Sequence, residues 1–335
     1  MTLARTMMKH HGENGYTLAS GALLLAVVAA VAHAQPFPNK PLRLLTGSAP
    51  AGGGDLTARA IAQKLSATLG QQVIVENRPG ATGMIANQAL SSAAPDGYTL
   101  LLQPSSFICI SPHLNSQDGW DPSKRVAGII QVSAYGLVVV VHPSVPAKSL
   151  TDLIALAKNK PGVLNYATSG VGSNFHLSAE LFNLRAKVSM VHVPYRGSTA
   201  AVIDLIAGRA DVMFGLVPVL NPYIREGKLR ALAFTARKRN PLLADVPTAS
   251  ELLPDFVVES WEGVFAPSGT SAELVARLNK EIAAAVNSAE LRELWKSRGV
   301  ESVTGTADEF SQKLREDYQR YGELLKRLGV KGSAG

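Results

Sequence analysis

Leu42-Arg43-Leu44-Leu45-Thr46-Gly47-Ser48-Ala49-Pro50-Ala51-Gly52-Gly53-Gly54-Asp55 is the stretch on which the fold turns. The apolar run 42–45 reads as a strand and the loop after it holds three consecutive glycines. Asp55 can then cap a helix in which Ile61, Leu65 and Leu69 recur every fourth residue until Gly70 stops it. Outward from there, Val73-Ile74-Val75 is the next strand, 83–90 a second helix, and Pro95-Asp96-Gly97 a turn into a strand over 98–102. Short apolar runs alternating with amphipathic ones are the sequence form of a parallel sheet covered by helices.

A second series follows the stretch 131–136, with strands over 137–141, 164–167, 190–193, 212–214 and 229–234. Between them lie helices from Ser149, from Ser173, over 198–207 and near Pro222. Then Val246-Pro247, Leu253-Pro254 and Ala266-Pro267 punctuate extended segments, and two amphipathic helices, 272–286 and 307–328, close the chain. These tail helices carry the apolar surface needed to cover a sheet that the first series leaves half bare. The expected architecture is α/β with two lobes, each a mixed sheet flanked by helices: 35–135 and 236–335 in the first, 136–235 in the second. Two crossings, near 133–137 and 232–235, make a hinge, and the cleft between such lobes is where ligands sit.

Composition agrees with two cores. The 335 residues, 46% hydrophobic and 18% charged, exclude a disordered or coiled-coil chain. The single cysteine, Cys109, excludes an intrachain disulfide and a thiolate metal cage, and its apolar context suits a buried small hydrophobe. Arg5, Lys9, His10 and His11 precede an uncharged run over 18–31 and then Ala32-His33-Ala34, the pattern of a secretory leader with cleavage after Ala34. The run is shorter than the about 20 residues of a spanning helix, and no cysteine follows it to carry a lipid. The expected location is the periplasm. Removing 1–34 takes away Arg5, Lys9 and Glu13 and lowers the formal charge from +7 to +6. The one tight basic cluster left, Arg237-Lys238-Arg239, lacks interleaved aromatics, so it reads as a solvated face and not as a nucleic-acid site.

The loop Ser48 to Asp55 is neither a P-loop nor a dinucleotide fingerprint. Its glycines let a ligand approach the backbone, and the helix after it turns its positive dipole end there, so an anion is the natural guest. Thr168-Ser169-Gly170-Val171-Gly172-Ser173-Asn174 has the same design in the other lobe. Together the two helix N-termini can close on opposite ends of one small anion, each contributing roughly half a positive charge. Ser105-Ser106 and Tyr195-Arg196-Gly197-Ser198 follow strands at the same sheet edges; hydroxyls there can orient a carboxylate, and Arg196 is a candidate direct ligand. No Gly-x-Ser-x-Gly elbow and no His-Glu-x-x-His pair is present, and His113, His142, His176 and His192 are scattered one per element. His176 is the best candidate for chemistry, but a packing or hydrogen-bonding role fits it better. Asp55 is most simply a helix cap.

Lys40-Pro41-Leu42-Arg43, Ala49 to Asp55, Val75-Glu76-Asn77-Arg78-Pro79-Gly80-Ala81, Ala94-Pro95-Asp96-Gly97-Tyr98-Thr99-Leu100, Val191-His192-Val193-Pro194-Tyr195-Arg196-Gly197 and Ser260-Trp261-Glu262-Gly263, in that order, resemble the tripartite tricarboxylate transporter receptor family, also called Bug proteins. The resemblance runs over 37–330. It implies a periplasmic solute-binding protein of two lobes that closes on a small carboxylate without catalysis, metal or cofactor, and hands it to a pair of membrane permease subunits; a monomer is expected. An orphan receptor presenting its ligand to a sensor-kinase ectodomain is the alternative. In the family, backbone amides and water from the loop matching Ser48, Pro50, Ala51, Gly53, Gly54 and Asp55 hold the carboxylate. Polar groups matching Ser105, Ser106, Ser169, Gly170, Gly172, Ser173 and Asn174 complete the site. Many relatives carry Asp-Asn where this chain has Gly215-Leu216; either the pocket loses a carboxylate and gains an apolar wall suited to a bulkier or aromatic acid, or this loop never touches the ligand.

Overall fold

In the computed structural model, which describes residues 37–115, 119–254 and 256–330, the quoted stretch is strand β1 (Leu42–Thr46), a loop and the helix Gly53–Leu69. The leader expected over 1–34, with its cleavage site after Ala34, lies outside the described residues. The helix begins two residues before Asp55: Gly52 is its N-cap and carries no side-chain cap, so the expectation of an Asp55 cap is corrected. Gly70 closes the other end in the left-handed conformation (φ 66°).

β1 pairs in parallel with β2 (Val73–Asn77) and β3 (Thr99–Pro104). β3 pairs antiparallel with β9 (Glu259–Pro267), and β9 in turn with β4 (Val126–Val141). The 16 residues of β4 serve two sheets. From Val126 to Gly136 it pairs with β9; from Leu137 to Val141 it pairs with β7 (Val212–Leu216) and β8 (Arg230–Phe234). Beyond β7 lie β5 (Asn165–Thr168) and β6 (Val191–Pro194), parallel to one another, and the short β10 (Glu301–Ser302) pairs with β4. Because β4 runs unbroken, the residues from Lys40 onward form one compact unit.

Two cores flank this continuous strand. One gathers Val138 to Val141 with Phe182, Phe214 and Phe256, whose rings meet at centroid distances of 5.5 to 6.4 Å. The other gathers Trp261, Phe265, Phe310, Leu314, Tyr321 and the buried Cys109, whose thiol burial pushes well up. Leu177 belongs to this second core although the rest of its helix, Asn174–Ala186, packs in the first. At the crossing, Thr235 clamps three segments. Its N–H donates to Leu137 O (2.8 Å), its hydroxyl donates to Val258 O (2.7 Å) and accepts from Leu137 N–H (2.8 Å).

Several elements differ from the sequence reading, two of them in the frame of the sheets. β4 extends back to Val126, where a strand is expected only over 137–141. Gly128, Gln131, Ser133 and Gly136 mask its first half; Gly128 is small because a side chain there would meet Phe310 of the helix Ala307–Arg327 that covers this face. The tail holds a third helix, Ala289–Ser297, capped by Ser288 and anchored by only two buried residues, Leu291 and Trp295. No helix among the described residues is long and apolar enough to cross a membrane.

Candidate interlobe ligand site

A cleft of about 620 Å³ opens where β3 and β5 end. One wall comes from Thr82, Ser106, Phe107, Ser111, Leu114 and Asn115, the other from Ser169, Val171, Gly172, Ser173, Asn174, Phe175 and Leu216, with Tyr135 of β4 between them. The wall contains no Asp, Glu, Lys or Arg: its polar side chains are hydroxyls and amides. Of the site residues read from sequence, Ser106, Ser169, Gly172, Ser173 and Asn174 line this cavity.

The first glycine loop stands at the same edge of its sheet, outside that lining. It is built as a rigid loop with donors left over. Asp55 is buried and accepts from Ala51 N–H (2.9 Å), Asn77 Nδ2 (2.8 Å) and Arg59 Nε (3.0 Å). The Arg59 guanidinium holds its carboxyl below the usual range against the opposing effect of burial. Asn77 also donates to Ser48 O (3.0 Å). Asp55 is thus committed to shaping the loop. Gly53 and Gly54, at the first turn of an uncapped helix, keep N–H groups with no intrahelical acceptor. A Cβ at Gly53 would meet nothing within 4 Å, whereas one at Gly54 would run into the Ser48 side chain. The fold therefore requires a small residue at 54 and leaves 53 open to a guest.

The second loop is held by hydrogen bonds of its own. Gly170 N–H donates to Thr168 Oγ1 (3.2 Å), Gly172 N–H to His176 Nδ1 (3.1 Å), Ser173 N–H to Gly170 O (3.3 Å) and His176 N–H to Ser173 Oγ (3.2 Å). Ser173 is the N-cap of Asn174–Ala186. Asn174 Nδ2 donates across the cleft to Ser260 Oγ of β9 (2.9 Å), while its Oδ1 is buried without a hydrogen-bond partner.

The remaining sequence candidates fall elsewhere. Ser105 is fully buried and its hydroxyl accepts from Trp261 N–H (3.4 Å). Gly215 lies inside β7, where a side chain would strike Leu220; its neighbour Leu216 reaches the cleft. Arg196 is exposed beside the second loop and has no ionic partner among the described residues. In the Arg237-Lys238-Arg239 cluster, Lys238 pairs with Glu301 (2.8 Å) and Arg239 with Glu251 (2.9 Å), so its charge is largely matched. Among the described residues no group of three or more His, Cys, Asp or Glu could hold a metal ion.

Several wall residues escaped the sequence reading. Ser106–Ile110 and Ser111–Asn115 form one irregular helical segment, hidden by Pro112, that carries Phe107, Ser111, Leu114 and Asn115 into the wall. Thr82 sits at φ 48°, ψ 48°, a left-handed conformation that a β-branched residue rarely adopts. Its hydroxyl accepts from Ser111 Oγ (3.0 Å) and Asn115 Nδ2 (2.8 Å). The Gly80-Ala81-Thr82-Gly83 string was the available signal for such strain, which clusters at ligand clamps. Behind the sheet edge, Glu262 accepts from Thr57 (3.1 Å) and Ser133 (3.2 Å) hydroxyls. Burial pushes its carboxyl up to about 7 against those two hydrogen bonds.

Residues 57–330 match the family described as "Tripartite tricarboxylate transporter family receptor". Protein BugT of Bordetella pertussis is 35% identical over 315 residues, covering 91% of this chain and 94% of its own. Among solved structures, R. palustris Rpa4515 with adipate superposes with a TM-score of 0.75 at 31% identity, covering 88% of this chain and 99% of its own. MatC (Rpa3494) from Rhodopseudomonas palustris with bound malate superposes with a TM-score of 0.71 at 29% identity, covering 86% and 100%. The two-lobed architecture is that of these periplasmic binding proteins.

Proposed function

The chain belongs to the tripartite tricarboxylate transporter receptor family, and from that premise we propose that it is a periplasmic receptor that captures a small carboxylate between its lobes without turning it over. After export the lobes, 35–135 with 236–335 and 136–235, close on the ligand, and the closed form delivers it to membrane permease subunits of the tripartite type. The observation that carries this reading is the cleft wall itself. With no charged side chain to hold an anion, the site has to rely on helix N-termini, hydroxyls and amides, a chemistry that can hold a carboxylate through N–H and O–H donors and offers a cation no counter-charge. The unused N–H groups at Gly53 and Gly54 supply the anion end. The orphaned Asn174 Oδ1 calls for a donor, from bound water or from the ligand.

The ligand's body is read from the apolar part of the wall. Phe107, Leu114, Val171, Phe175 and Leu216 suit a hydrocarbon chain or ring better than a short hydroxylated body. Gly215-Leu216 stands where many relatives carry Asp-Asn, and the apolar Leu216 on the wall there disfavours an α-amino group. Adipate and malate, the ligands of the two compared structures, bracket the choice between a longer hydrocarbon body and a short hydroxy acid. A thermal-shift screen of the purified mature chain tests the reading. Stabilisation by adipate or an aromatic monocarboxylate, greater than that by malate or aspartate, is expected. Strongest stabilisation by aspartate contradicts the apolar-wall argument, and stabilisation by cations or sugars alone contradicts the carboxylate.

A further inference from the structure

The second glycine loop hangs on two stacked imidazoles that the ligand site as described does not use. His176, buried one turn into its helix, accepts the Gly172 N–H on Nδ1 at 3.1 Å. That nitrogen must therefore carry a lone pair, and a neutral ring holds its proton on Nε2. His192 of β6 stacks on His176 with ring centroids 4.0 Å apart and on Tyr166 with centroids 5.1 Å apart. Its Nε2 lies 2.7 Å from Thr168 Oγ1, the hydroxyl that donates to Gly170 O (3.3 Å) and accepts from Gly170 N–H (3.2 Å). The two rings thus hold the loop at both of its glycines.

The same loop carries contacts between the lobes. Gly172 has φ 75°, and a side chain there would collide with Leu114 of the opposite wall. Two residues on, Asn174 bonds Ser260 of β9 at 2.9 Å. Any shift of Gly172 is therefore felt by the opposite lobe as well as by a ligand.

We propose that His176 is a positioning residue of the ligand site: as a neutral acceptor it fixes Gly172 and the wall from Ser169 to Asn174, and its protonation releases that wall. The reason is geometric. A protonated His176 carries N–H on both nitrogens, so the Gly172 N–H would face another donor at 3.1 Å. A charge on either ring also opposes a charge on the other across 4.0 Å. The other ionisable groups facing the pair are Tyr166 and Glu180, whose hydroxyl and carboxylate are hydrogen-bonded to one another. Burial lowers both imidazoles, His192 to about 4, with His176 adding to that depression and Glu180 opposing it. The loop is accordingly locked at neutral pH and loosens in acid.

The proposal rests on the reading that this wall holds the ligand, so its test needs none. Hydrogen exchange is followed at the Gly172 amide of the ligand-free mature chain, with Leu101 in β3 as the internal reference. In the wild type, Gly172 protection is expected to fall at least tenfold between about pH 7.5 and about pH 4.5 while Leu101 stays constant. His176→Asn, whose carboxamide oxygen can replace Nδ1 as acceptor and does not titrate, is expected to keep protection at both pH values. His176→Ala is expected to lose it at both. Gly172 protection that is independent of pH in the wild type, or retained in His176→Ala, overturns the proposal whatever the carboxylate screen returns. A pH-dependent Gly172 with no carboxylate bound would instead leave the positioning role standing and remove the receptor reading.

Discussion

The two glycine loops occupy equivalent places, each between a parallel strand and a helix, and they differ in their relation to the cleft. Ser48 to Asp55 is braced from behind: Asp55, Asn77 and Arg59 lock it, and the first turn of its helix is left uncapped with N–H groups to give. Yet it stands outside the cavity lining. Thr168 to Asn174 forms the cavity wall, with the Gly170 and Gly172 N–H groups bound by Thr168 and His176 and with Ser173 capping its helix. One loop offers its first-turn N–H groups outside the lining; the other is the lining itself. The pairing makes sense if the lobes must move to bring the donors over the wall, which ties anion capture to closure.

The sharpest way to break this comparison is to add a side chain to each loop. Gly53→Val should weaken carboxylate binding by about 100-fold, about 2.8 kcal/mol, with no change in the unliganded melting point, since its Cβ meets open space. Calorimetry paired with unliganded melting checks both halves. Gly172→Ala should behave differently, losing about 1–3 kcal/mol of fold stability through the clash with Leu114 and the left-handed φ, which denaturant titration would read. Equal stability losses in the two variants would erase the distinction between an open loop and a packed one.

A smaller effect is expected at Glu262, behind the first loop. Its carboxyl is raised from 4.5 to about 7, so the folded chain holds the proton more tightly than the unfolded one. The stability this contributes is present below pH 4.5 and is lost as pH rises through about 7. Between about pH 5 and about pH 8 the wild-type melting point should fall by about 2–4 °C more than that of Glu262→Gln. Parallel profiles for the two proteins would show that the carboxyl titrates as it does in the unfolded chain. Smallest of all is Arg196→Ala, which removes an exposed cation without an ionic partner among the described residues. Stability should not change, and affinity should fall less than about threefold and only at low salt; a larger, salt-resistant loss would make Arg196 a direct ligand.

Much of the architecture was legible because strand and helix signals agreed with their ends, as at Gly70 and at the Ser149 and Ser173 caps. What escaped reading had physical causes. The first half of β4 is disguised by glycines and polar residues required by Phe310 and by cross-strand hydrogen bonds such as Ser133 to Glu262. Ala289–Ser297 buries too few side chains to show a periodicity. Glycine placement picked out the loop that lines the cleft and one at the same sheet edge outside the lining, but which donors are free depends on partners far apart in sequence, such as Asn77 for Asp55 and His192 for Thr168. The apolar wall from Phe107, Leu114 and Phe175 left no trace in a search for polar loops.

Small-angle X-ray scattering of the mature chain, with and without a saturating concentration of the most stabilising carboxylate, decides whether the lobes close. A smaller radius of gyration is expected in the bound state, as the first loop comes over the wall. An unchanged radius at demonstrated saturation would contradict closure and with it the division of labour between the two loops.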